Sequence, residues 1–146
     1  MNMRKGISPL IAVIMLIAFT MIVAGILAGW ATTFVTTQRE ELQFCSKAQL
    51  LIQRAYYEPE TSTNGTLTLH VLNTGSVALK GFSVRTIYKK NASVIHINST
   101  IQPQDIKTIT VDITDPNNLD QVIIQSVECR GAQDMITRYD IQGIGF

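Results

Sequence analysis

Two unlike stretches of sequence predict an α+β chain. Residues 6–38 contain no Asp, Glu, Lys or Arg, and residues 7–35 are apolar almost throughout. Beyond Glu40, short apolar–polar alternations recur, separated by turn residues. The first stretch predicts one long N-terminal hydrophobic α-helix. The second predicts an antiparallel β-sandwich head of about seven strands, immunoglobulin-like in arrangement. All Asp and Glu lie from Arg39 onward, together with every Lys and Arg except Arg4 and Lys5. The near-neutral total of +1 therefore averages an oily stem with a polar head. No basic face for nucleic acid is present.

The apolar run exceeds the roughly 20 residues that a helix needs to cross a hydrocarbon core. A helix with no polar face is not the surface helix of a soluble domain, and about a hundred remaining residues cannot bury it on all sides. Arg4 and Lys5 keep the front end in the cytoplasm and send the rest outward. Ser8 is placed to cap the helix, with Pro9 at its first position, where a missing N–H costs nothing. From Pro9 to Phe44 the helix spans about 54 Å, longer than a bilayer core, and Trp30 falls where an interfacial aromatic is expected. Gly25 and Gly29 form a G-x-x-x-G pair flanked at the same spacing by Ala24 and Ala28. Small residues one turn apart let helix backbones approach closely; the alternative is a flexible point at Gly25.

The front end does not read as a secretory signal. Its apolar stretch is too long and no small-residue cut site follows it. The small residue stands before it, in Arg4-Lys5-Gly6-Ile7-Ser8-Pro9. That run, with the long apolar helix behind it, resembles the leader junction of archaeal type IV pilins and archaellins. The resemblance covers roughly residues 4–30. It implies cleavage by a prepilin peptidase between Gly6 and Ile7, a leader at residues 1–6, a transmembrane and filament-core helix at 7–45 and an extracellular head at 46–146. Bacterial type IV pilins carry Glu as the fifth residue after the cut. Ile11 stands there in this chain, as is common in archaeal members.

The implied function is that of a structural subunit of a type IV pilus-like filament. It begins as a membrane precursor and then polymerises through its helix, outside the cell, for adhesion. Its implied partners are copies of itself, the prepilin peptidase, the assembly platform and the membrane before assembly. An archaellin for swimming uses the same design. A membrane-anchored accessory protein that never polymerises is the alternative from another class.

In the head, strands are expected near residues 50–57, 66–72, 82–88, 94–97, 109–113, 121–129 and 135–141, with loops at 73–76, 102–104 and 115–118. A β-barrel is the second architecture this pattern allows. Residues 72–79, Leu-Asn-Thr-Gly-Ser-Val-Ala-Leu, resemble a strand–turn motif of archaellin and archaeal pilin heads. Cys45 and Cys129 are the only cysteines. An oxidising exterior permits a disulfide between them, which would close a loop of roughly 85 residues; two unpaired thiols remain the alternative, since spacing does not prove a bond. Asn64, Asn91 and Asn98 each begin an N-x-Ser/Thr sequon, an acceptor for N-glycans on an exported chain, and Asn64 and Asn91 are expected in loops. No catalytic constellation, cofactor motif or metal-ligand spacing stands out. His70 and His96 fall in strands, and Asp112, Asp115 and Asp120 match no calcium loop. A structural, non-enzymatic role follows.

Overall fold

The computed structural model describes residues 7–145. They divide into two compact units, one ending at Leu42 and the other beginning at Gln43. The long helix α1 spans Ile7–Ser46, 40 residues, so its final residues, 43–46, belong to the second unit. Ser8 lies within α1 rather than ahead of it as a cap, and Pro9 follows it in the helix. Five threonines turn their hydroxyls back on the helix. Thr20 donates to the carbonyl of Ile17 at 2.8 Å, Thr32 to Ala28 at 2.7 Å, Thr33 to Gly29 at 3.1 Å, Thr36 to Thr32 at 2.8 Å and Thr37 to Thr33 at 3.0 Å. Each thus satisfies its polar group without an outside partner. The helix closes as the N–H groups of Lys47 and Ala48 donate to the carbonyls of Phe44 and Cys45, both at 3.2 Å.

The head carries seven strands: β1 Leu50–Pro59, β2 Asn64–Asn73, β3 Leu79–Tyr88, β4 Ala92–Ile101, β5 Ile106–Thr114, β6 Leu119–Ser126 and β7 Gln133–Thr137. They form two sheets, ordered β1-β2-β5 and β4-β3-β6-β7, with every pairing antiparallel. This is a sandwich, not the barrel the pattern also allowed. In the constant-type immunoglobulin arrangement the fourth strand joins the sheet of the first, second and fifth. Here β4 pairs with β3 instead.

Period-2 alternation places Leu67, Leu69 and Val71 of β2, Phe82 and Val84 of β3, Val111 and Ile113 of β5, and Val122 and Ile124 of β6 in the core. Strand β4 runs for ten residues rather than the expected four. Asn98, Ser99 and Thr100 hide its alternation; pairing with β3 resumes past a register shift, with Thr100 opposite Lys80 and Ile101 opposite Leu79. Strand β6 stops at Ser126, short of Cys129, because the chain turns: Val127 N–H donates to the carbonyl of Gly81 at 3.0 Å, and Ala132 N–H to that of Cys129 at 2.9 Å. Strand β7 stops at Thr137, whose N–H and hydroxyl both donate to the Asp140 carboxylate, at 2.9 and 2.7 Å. That opens a 3-10 turn at Arg138–Asp140.

One end of the sandwich gathers residues 47–49 with the β2–β3, β4–β5 and β6–β7 connections. There Thr74 N–H donates to the Gln49 carbonyl at 3.1 Å and Ser76 N–H to that of Lys47 at 3.0 Å. The opposite end gathers the remaining turns.

Candidate assembly surfaces: the stem and the disulfide-closed head

Of the residues expected to direct leader cleavage, Arg4, Lys5 and Gly6 lie outside the described residues. Ile7, Ser8 and Pro9 stand in the first turn of α1. From Ser8 onward the stem residues are exposed through Phe44. By length and composition α1 is able to cross a membrane. Its apolar residues cover every side, including Leu16 at 63% and Ile26 at 67% exposure. Trp30 and Phe34, one turn apart, stack with ring centroids 5.4 Å apart. A Cβ built on Gly25 or Gly29 meets nothing within 4 Å. Nothing among the described residues therefore requires glycine at either place, and the small-residue face they share with Ala24 and Ala28 is open there.

In the head, Cys45 and Cys129 are bonded, with Cα atoms 5.3 Å apart. The bond fastens the last turn of α1 to the β6–β7 connection, and Cys129 is buried. A second tie lies across the sandwich, where the Asp134 carboxylate of β7 accepts the N–H of Ile52 at 2.7 Å. The register of β1 on β2 shifts just after that point, between Ile52 and Arg54.

Asn64, Asn91 and Asn98 are all exposed. Asn91 occupies the β3–β4 turn. Asn64 is the first residue of β2 rather than a loop residue, and Asn98 lies within β4.

His70 Nδ1 shares a hydrogen bond with the Thr108 hydroxyl at 3.1 Å, and its ring meets Tyr56 edge-on. His96 is exposed on β4. Asp115 adopts a left-handed conformation and accepts a hydrogen bond from the Asn118 amide. Among the described residues, no group of three or more His, Cys, Asp or Glu is arranged to hold a metal ion.

Sequence reasoning passed over the residue that organises the disulfide end. Asn73 is fully buried. Its amide donates to the carbonyls of Val77 at 2.8 Å and Ile101 at 3.2 Å, and its side-chain oxygen accepts from Gly75 N–H at 3.0 Å. Gly75 itself is pressed against the Lys47 carbonyl, where a Cβ has no room. The usable signal was the Asn-Thr-Gly turn; its burial was not visible from the turn alone. Tyr57 is buried and its hydroxyl has no hydrogen-bond partner among the described residues. Burial raises its pKa above the ordinary tyrosine value, with the Glu60 and Tyr88 charges adding to the rise. The Asp140 carboxyl is held below its ordinary pKa by the backbone N–H of Thr137 and then by that residue's hydroxyl.

No known protein family matches the sequence, and no curated protein matches it either. Solved structures give weak likenesses. The β-glucosidase DesR of Streptomyces venezuelae aligns at 10% identity over 62% of this chain and 15% of its own, with a TM-score of 0.36. The trimeric lipoprotein SadB of Salmonella enterica aligns at 14% identity over 91% of this chain and 86% of its own, with a TM-score of 0.37. An exo-β-N-acetylglucosaminidase of Vibrio harveyi aligns at 10% identity over 66% of this chain and 18% of its own, with a TM-score of 0.35. The chain spans less than a fifth of either glycosidase. Likenesses at this level bear on neither ancestry nor activity.

Proposed function

We propose that this chain is the precursor of a structural filament subunit of the archaeal type IV pilin kind. A prepilin peptidase removes residues 1–6, the helix holds the subunit in the membrane, and the helix then leaves lipid to pack among copies of itself. The head stays outside the cell and serves adhesion. The observation that carries this reading is the exposure of α1 on all sides over its uncharged length. Such a surface requires either lipid or other apolar helices around it. Self-bonded threonine hydroxyls and open glycines suit both settings, because neither demands a polar partner. The disulfide supports an oxidising location for the head.

The role is structural rather than catalytic, which the absence of a nucleophile–base constellation in the sequence supports. The test is deletion of the chain in its source cell, with shearing of surface fibres. Loss of fibres and of attachment, with swimming intact, supports the pilin reading. Loss of swimming selects the archaellin. A chain found only among detergent-soluble monomers selects the non-polymerising accessory protein.

A further inference from the structure

We propose that the outer faces of the two sheets are the two halves of one contact between successive copies of this chain. The proposal rests on the polymerising reading above.

On the four-stranded sheet, pairing sets Val94, Arg85, Ile123 and Met135 in one cross-strand row. Their strand neighbours Val84, Val122 and Ile124 are buried, so the row faces away from the core. An antiparallel sheet normally turns polar residues to water on that side. Here Val94 is 45% and Met135 53% exposed. Arg85 is exposed among these apolar side chains and has no ion pair or hydrogen bond among the described residues.

On the three-stranded sheet, pairing sets Glu58, Thr66 and Asp112 in one row. Glu58 and Asp112 are exposed and likewise unpaired. They flank Thr66 from either side, about 10 Å apart by strand spacing. A guanidinium entering over Thr66 reaches a carboxylate on each side with its fork of donors.

The occupant is a second copy because the charges complement each other and cannot meet within one molecule: outer faces of a sandwich point in opposite directions. A contact between two different faces is heterologous. Each docked copy presents its other row to the next, so copies add in turn, and the result is an open helix wherever the rotation between copies does not close a ring. Asn64 lies two residues from Thr66 on the same outward face, so this contact and a glycan on Asn64 exclude each other.

Charge reversal in the full-length chain, expressed with its peptidase and assembly platform, tests the contact. Arg85→Glu should lower the share of chain in sheared fibres about tenfold or more, as should Glu58→Lys with Asp112→Lys. Arg85→Gln should give a smaller fall. All three reversals together should restore fibres, since each row then meets its opposite again. Export with an intact Cys45–Cys129 bond, read as a mass shift of two hydrogens on reduction, establishes that each variant is folded. Unchanged fibres in Arg85→Glu and Arg85→Gln overturn the contact. So does failure of the folded triple variant to restore them, or full glycosylation of Asn64 in wild-type fibres. A wild type that forms no fibres removes polymerisation itself, a different failure from these.

Discussion

The side-chain amide of Asn73, at the end of β2, donates to the carbonyl of Ile101, the last residue of β4, across 28 residues of sequence and from one sheet to the other. The same side chain holds the Val77 carbonyl and the Gly75 N–H. One buried amide thus fixes the whole turn against which Lys47 lies. Asn73→Ala takes this partner from the buried Ile101 carbonyl, the half-buried Val77 carbonyl and the buried Gly75 N–H, and is expected to cost about 2–3 kcal/mol. Asn73→Asp should cost at least as much, because a carboxylate cannot donate. Denaturant midpoints of the purified chain measure both.

The Cys45–Cys129 bond joins residues separated by 84 positions in sequence. In the chain-entropy account its removal by Cys45→Ser with Cys129→Ser destabilises the head by about 4–5 kcal/mol. Equal unfolding midpoints with and without reductant would show that the bond contributes nothing.

Tyr57 carries a buried hydroxyl with no hydrogen-bond partner among the described residues, so Tyr57→Phe should stabilise the head, by about 1 kcal/mol. The pH dependence follows from its raised pKa. Above the ordinary tyrosine value of about 10 the unfolded chain ionises while the folded one stays protonated. Stability present below that pH is therefore lost as pH climbs toward the folded value. Tyr57→Phe should flatten that alkaline decline, and an unaltered slope would contradict the assignment. Asp140 acts at the other end. Its lowered pKa favours folding above the unfolded value and loses that contribution as pH falls through the folded one.

Gly25→Leu with Gly29→Leu enters open space on α1, where a Cβ at either position meets nothing within 4 Å among the described residues. The head should keep its unfolding midpoint while fibre yield falls. Fibres of normal abundance and form from this double variant would show that those two positions do not set helix packing.

Much of this architecture was legible in the sequence. The stem announced itself because residues 6–38 carry no charge, and no short-range ambiguity survives a signal of that length. Strands β2, β3 and β5 were legible because Leu67, Phe82 and Ile109 begin clean alternations. Strand β4 was cut short because Asn98, Ser99 and Thr100 lie at the outer edge of a sheet, where burial no longer selects apolar residues. The end of β6 was misplaced because Cys129 is buried by the turn that follows the strand, not by the strand. Asn73 and the Asp134–Ile52 tie were invisible for a related reason: their partners lie far away in sequence, and only the closed sandwich brings them together. The rows through Arg85 and Thr66 likewise depend on register, which single strands do not reveal.

The most direct test of the account is the N-terminal sequence of this chain recovered from sheared surface fibres. The account predicts Ile7 as the first residue. Recovery of the chain beginning at Met1, or its absence from the fibres while it remains in membranes, would contradict it.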